Sequence, residues 1–514
     1  MTLISALAGA PGAASSGSPL TVIRAAQPVT LADASATPRS SVVMLGQGIS
    51  ESAGSVYDET GTVPDALAAA MAKGVAARTR VSPFADVGAA LLNRFRTDGA
   101  SHSQWAPAAR LATSATAEAG PLTEAELQPD NTVSLRITTA SGVKVQVSLQ
   151  SGKEGMAVQV DVAEGELNED ERRAIAALSG AFQDALDGLA EVPPRWSLTR
   201  LANGSSPLLS SISLSQSRIV DGATQTIDFQ ADSKQKSLTV SNVTGVVKVD
   251  VDLTKPVTLG SATQQQAAVA KYLQQFDRAQ RRGSADEALM GTFKDVFSAM
   301  HGSYGAAQVP AADTTTRRLP AADAHRSLLS GLADFSASID QVREASNPMR
   351  PKEIDGFSYQ ASQTSQVSGK ARWDLAVSQE QSTTLTANYH RSLSPDVQLA
   401  LTQDEESQNY LYFQIHDSSK SKTDVAYEDG VLTQATLNES RTQTTQVSKY
   451  IKGKLVDQSV MPSSESNSRN LLSLVRAAKL DELDDPMAPR DQADEILRRK
   501  YLDLARQAAD ARMG

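Results

Sequence analysis

Apolar residues recur at every second position in three consecutive runs that begin at Asn131. Val133, Leu135 and Ile137 alternate with Ser134, Arg136 and Thr138. Val143, Val145, Val147 and Leu149 follow a Ser141-Gly142 turn, and Met156, Val158, Val160 and Val162 follow Ser151-Gly152. Strand side chains alternate between faces, so this pattern predicts an antiparallel meander with one buried face. The period then lengthens to that of a helix. Asn168 and Glu171 form a capping-box pair, and Ile175, Leu178, Phe182, Leu186 and Leu189 make a stripe that Pro193-Pro194 ends. The same order returns downstream. Ile227 and Phe229, then Leu238 and Val240, then Val247, Val249 and Val251 read as strands, followed by a helical stripe through Val269, Tyr272, Leu273 and Phe276. Ser284 and Glu287 read as the capping box of a further helix through Leu289, Phe293, Val296, Phe297 and Met300. Residues 131–190 and 208–280 are therefore expected to be two copies of one β-meander-plus-helix unit.

The flanking stretches differ in texture. Leu67, Ala70, Met71 and Val75, and then Val87, Leu91, Leu92 and Phe95, predict two short helices separated by Pro83, and 99–130 reads as linker. Leu328, Leu329, Leu332, Phe335, Ile339 and Val342 predict one more helix, closed by Asn347-Pro348-Met349-Arg350-Pro351. From 353 to 460 the chain is rich in Ser, Thr and Gln with alternating apolar positions. Examples are Trp373, Leu375 and Val377; Leu385, Ala387 and Tyr389; Val397, Leu399 and Leu401; and Leu411, Phe413 and Ile415. This predicts a long-stranded antiparallel sheet with one covered and one polar face. A short helix from Leu471 and an amphipathic helix from Asp491 through Ile496, Leu497, Tyr501, Leu504 and Ala508 complete the chain. The expected class is α+β: antiparallel β-meanders packed against amphipathic helices, with a long-stranded C-terminal sheet. The divisions are a disordered tail over 1–60, helices and linker over 61–130, two units over 131–302, linker and helix over 303–352, sheet over 353–460, and helices over 461–514.

Composition narrows the function classes. The chain has 514 residues, 49 Lys+Arg and 59 Asp+Glu, for a net charge of −10. That balance opposes binding to a nucleic-acid backbone, which needs a basic surface. The absence of cysteine removes disulfides, thiolate nucleophiles and Cys-bearing zinc sites. No apolar run is long enough to predict a membrane-spanning helix. The first basic residue is Arg24, so a Sec signal with its positive n-region is a poor fit. The expectation is a cytoplasmic protein or one exported without such a signal. Val42, Val43, Met44 and Leu45 read as a strand or a docking segment.

Candidate chemistry is sparse. His102, His301, His325, His390 and His416 show no metal-ligand spacing, although His390 and His416 lie on strands of one sheet. Gly46-x-Gly48 lacks the third glycine of a dinucleotide loop, with Glu51 in its place. Ser419-x-x-Lys422 matches the S-x-x-K pattern but is expected in a polar turn. The acidic groups Glu164/Glu166 and Glu169–Glu171 fit a helix N-terminus, and Asp404-Glu405-Glu406 fits a solvated turn. Arg278, Arg281 and Arg282, and Arg498, Arg499 and Lys500, read as solvated helix faces. No catalytic, cofactor-binding or metal-binding residue is assigned.

Leu135–Pro194, Lys271–Asp277, Asp334–Pro351 (DFSASIDQVREASNPMRP) and Gln408–Asp417 (QNYLYFQIHD) resemble an uncharacterised proteobacterial protein family over residues 40–460. Some of its members carry a lactate dehydrogenase label. This sequence has no dehydrogenase motif, since the nicotinamide fold needs a glycine-rich turn in a parallel βαβ unit. The resemblance assigns no catalytic residue. Two classes of function are weighed. The favoured one is a non-enzymatic binding or structural protein with a protein partner, at the bacterial cell surface or in a secretion or flagellar apparatus. The alternative is an enzyme of glycan-hydrolase type, its site assembled from distant carboxylates and histidines.

Overall fold

The computed structural model describes residues 65–76, 83–97, 99–108, 127–198, 200–201, 206–302, 328–369, 374–394, 396–473 and 475. The readings at 1–60, Gly46/Gly48, His325, Trp373 and the helix from Asp491 lie outside these residues.

Helices α1 (Ala66–Ala76) and α2 (Val87–Arg94) form where the 3–4 spacing places them. Strands β2 (Pro129–Thr139), β3 (Lys144–Gly152) and β4 (Gly155–Ala163) make the expected meander. The stretch read as linker also contributes β1 (His102–Pro107), which pairs with β4 through Trp105 and Ala106. The Asn168 stripe is two helices, α3 (Glu169–Ala177) and α4 (Ser179–Ala190), broken at Leu178. The capping box is present: the Asn168 side chain accepts from the Glu171 N–H, and the Glu171 carboxylate accepts from the Asn168 N–H.

Four strands follow: β5 (Leu209–Val220), β6 (Ala223–Asp232), β7 (Gln235–Asn242) and β8 (Gly245–Asp252). The first, Ser-rich and weakly alternating, escaped the sequence pattern. Helices α5 (Ala262–Gly283) and α6 (Glu287–His301) come next. The Ser284/Glu287 capping box does not form. Ser284 closes α5 at φ 55°, and Asp286 caps α6 by accepting from the Leu289 N–H.

The helix expected over 328–342 is instead strand β9 (Asp334–Gln341). It lies between β8 and β10 (Gly356–Ser368). Phe335 and Ile339 fit the helical stripe, but with Ala337 they also satisfy a period of two, and pairing on both sides decides for the strand. Strands β11 (Ala376–Ser392), β12 (Tyr410–Glu428), β13 (Val431–Ile451) and β14 (Lys454–Asn470) complete the sheet. The Val397/Leu399/Leu401 alternation is a loop, and β14 runs to Asn470, just before the helical residues Leu472, Ser473 and Val475.

Among the described residues, all strands join one 14-stranded open sheet, in the order β1-β4-β3-β2-β5-β6-β7-β8-β9-β10-β11-β12-β13-β14, and every pairing is antiparallel. The fold is strand-dominated, and strands read as separate segments over 131–302 and 353–460 share this sheet. No described helix is long and apolar enough to cross a membrane.

One cross-strand row shows where the core sits. Val160, Val147, Leu135, Leu214, Phe229, Leu238, Val249, Ala337 and Ala361 are successive partners from β4 to β10, and all are buried. The helices bury their apolar faces with this side of the sheet in a single cluster, including Leu91 of α2, Phe182 of α4, Phe276 of α5 and Phe293 and Phe297 of α6. Removal of this much apolar surface from water is the main stabilising term.

Candidate functional site

Continued past Ala361, the same row changes chemistry. Its next partners are Thr383, Ser419, Arg441 and Glu465. The neighbouring row runs Gln363, Gln381, Ser421, Glu439, Asn467. A third runs Ser365, Gln379, Thr423, Leu437, Arg469. The helix-facing side of the sheet thus turns polar at β11. There α5 overhangs a groove of about 410 Å³, bounded by Tyr272 and Gln275 of α5 and by β11–β14.

Two hydrogen-bond networks lie outside the groove lining. In the first, the buried Asp334 carboxylate accepts from the Ser365 N–H (2.7 Å), the Ser365 hydroxyl (2.6 Å) and Lys255 Nζ (2.9 Å). Gln379 donates to the Ser365 hydroxyl, and Gln363 donates to the Leu332 and Ala333 carbonyls. These bonds compensate the cost of burying a charge and amides. At the end of α5, Arg282 makes a two-nitrogen contact with Asp417 (2.8 and 3.0 Å) and also donates to Thr445 (2.8 Å). Burial pushes the Asp417 pKa up, but Arg282 and Gln443 outweigh it and hold it below the usual carboxylate value. The reading of Arg282 as part of a solvated face is therefore corrected: it rivets α5 to β12 and β13.

On the opposite face of the sheet, a strap over 347–355 covers β11–β13. His390 of β11 is enclosed there, its side chain 2% exposed. Its Nδ1 is 2.7 Å from the Asp355 carboxylate and its Nε2 is 3.0 Å from that of Glu353. Tyr410 donates to Glu353 (2.7 Å), and Asn347 donates to Tyr410 and Gln408. Arg350 lies over the Tyr450 ring at 4.3 Å and donates to the Gly453 carbonyl. Burial pulls the His390 pKa down, yet the hydrogen bonds and charges of Asp355 and Glu353 outweigh it and raise it to about 8. Burial raises Glu353, but bonds from His390, Tyr410 and Tyr450 bring it below its ordinary value.

The structure separates several residues that the sequence singled out. His416 stands opposite Thr386, and His390 stands opposite Tyr412, so the two histidines do not meet. His301 is enclosed by Phe297 and Phe335, and burial, then the Lys236 charge, lowers its pKa to about 3. Ser419 and Lys422 lie within β12 rather than in a turn. Three apart on a strand, they point to opposite faces. Ser419 bonds Thr383 (2.7 Å), while Lys422 pairs with Asp424 (3.2 Å). Asp404 caps the short helical turn Glu405–Ser407. Among the described residues no group of three or more His, Asp or Glu is placed to hold a metal ion.

Sequence reasoning missed both the groove and the His390 clamp. The sequence singled out His390 but not its partners, and Tyr410 and Tyr412, two alternating aromatics, were a further signal of the clamp. No family model, curated protein or solved structure matches the chain.

Proposed function

We propose that the chain is a non-enzymatic binding or structural protein that takes an extended polar segment of a protein partner in the groove beneath α5, at the cell surface or in a secretion or flagellar apparatus. The observation that carries this reading is the groove lining: hydroxyls, amides and charges of both signs on neighbouring strands, with no imidazole. Such a surface matches the backbone and side-chain hydrogen bonds of an extended chain. Its charges favour selection and orientation of a partner over raw affinity. The test uses tagged protein recovered from native cells, comparing the wild type with the double variant Arg441→Glu/Arg469→Glu. A partner retained by the wild type and lost by the variant, identified by mass spectrometry, supports the reading. Equal recovery by both overturns it.

A second reading, a glycan hydrolase, is favoured by one feature of the same groove. Glu439 faces Asn467, so Glu465 is its diagonal neighbour on the same side. Diagonal neighbours have Cα atoms roughly 7–8 Å apart, and inverting glycosidases place their two carboxyl groups about 6.5–9.5 Å apart. Arg441 stands directly opposite Glu465 in the register, however, the arrangement of a structural cross-strand charge pair. Release of reducing sugar from bacterial polysaccharide by the wild type but not by Glu465→Gln would favour this reading over the first.

A further inference from the structure

A neutral imidazole carries one N–H and an imidazolium carries two. His390 faces a carboxylate at each ring nitrogen, Asp355 at 2.7 Å and Glu353 at 3.0 Å. Only the doubly protonated ring donates to both. When one proton leaves, a carboxylate is set against a ring lone pair inside a mostly enclosed site, where an unpaired charge is costly. Both carboxylates belong to the strap over 347–355, whereas His390 belongs to the sheet. We propose that His390 is a proton-operated latch: its protonation holds the strap against β11–β13, and loss of that proton releases the strap and uncovers Tyr410, Tyr412 and Tyr450.

The surroundings leave His390 as the group that titrates near neutrality. The strap presents Glu353, Asp355 and Arg350 to the site, β12 presents Tyr410 and Tyr412, and β13 presents Tyr450. Burial first, then the Glu353 anion, pushes Tyr410 and Tyr450 above the usual phenol value, and burial with the Asp355 and Glu353 charges does the same for Tyr412. They stay protonated while the imidazole titrates. His390 sits at about 8 in the fold against an ordinary 6.5. Its contribution is therefore complete below about 6.5 and is lost as pH rises through about 8. Glu353, lowered in the fold, contributes above its ordinary value of 4.5 and loses that contribution as pH falls through its lowered value. The strap is thus most firmly held in mildly acidic solution, between about pH 4.5 and 6.5.

The remaining strap contacts do not involve the imidazole. Asn347 bonds Gln408 (2.9 Å), Arg350 bonds the Gly453 carbonyl (2.7 Å), and the Tyr412 hydroxyl reaches the Ile354 carbonyl (3.3 Å). They keep the strap tethered, so the expected event is local opening rather than unfolding.

Ring-carbon NMR of the histidines between pH 5.5 and 10, with His390→Gln assigning the His390 signal, measures its midpoint. Hydrogen–deuterium exchange of the full chain, corrected for intrinsic rate, follows residues 343–355 with residues 223–252 as control. The expected midpoint is near 8, with strap protection falling about thirtyfold across the same range, tenfold for each pKa unit between 6.5 and about 8. The control stays protected. His390→Gln is expected to leave the strap open at every pH, and Asp355→Asn to lower the His390 midpoint. A midpoint at or below 6.5 overturns the latch, as does strap protection that ignores the His390 titration. If His390→Gln does not fold, Asp355→Asn assigns the signal by its displacement and the wild-type titration decides.

Discussion

Arg282 ends a helix whose last turn also carries Arg281, and in one dimension the two look alike. In the fold, Arg282 reaches Asp417, 135 residues away in sequence, and becomes the tie between α5 and the sheet. Hydrogen bonds to charged groups contribute about 1.5–3 kcal/mol each, and removing one partner leaves the other's charge uncompensated. Arg282 keeps a third of its side chain in solvent, which discounts that figure. Asp417→Asn is expected to lower unfolding free energy by about 1–2 kcal/mol, read by urea denaturation. Arg281→Ala, on the solvent side of the same turn, is expected to change it by less than about 0.5 kcal/mol.

Elements were legible wherever the signal was local. The Asn168/Glu171 capping box needs only residues three apart, and it forms as read. Asn168→Ala removes the acceptor for the Glu171 N–H and is expected to cost about 1 kcal/mol in denaturant unfolding. Elements were misread where two periods fitted one segment. Residues 328–342 satisfy a helical stripe, yet Phe335, Ala337 and Ile339 also alternate, and hydrogen bonding to β8 and β10 settled the matter. Ser284 and Glu287 had capping-box spacing, but the chain turns left-handed at Ser284 to end α5, so Asp286 takes the cap. β5 was missed because serine fills most of its solvent-facing positions and Gln216 breaks its apolar row.

At the scale of the molecule, an open sheet has two edges, and β14 is a long one. Lys454 to Asn470 is exposed along nearly its whole length, with Leu455, Val456, Val460 and Met461 open to solvent. An exposed edge of this kind is a template for strand addition by another chain. Pro462, opposite Thr444 in the middle of the strand, supplies no N–H and interrupts that template. Pro462→Val is expected to promote association that increases with concentration, measured by light scattering after size exclusion. An unchanged molecular mass across concentrations would show that the proline does not guard this edge.

Alternation, capping and turn residues act over a few positions, and their energetics are complete within each segment. They accounted for the antiparallel hairpins, most helices and the polar texture of the C-terminal strands. Strand order, register and the meeting of side chains far apart in sequence arise only when the whole sheet closes its ladder. That assembly placed β9 between β8 and β10 and put Glu353 and Asp355 around His390. It also carried one row of side chains from a valine-rich core to Arg441 and Glu465. A residue's alternation tells which neighbours share its face, but register alone tells what stands opposite, and register is a property of the pair of strands.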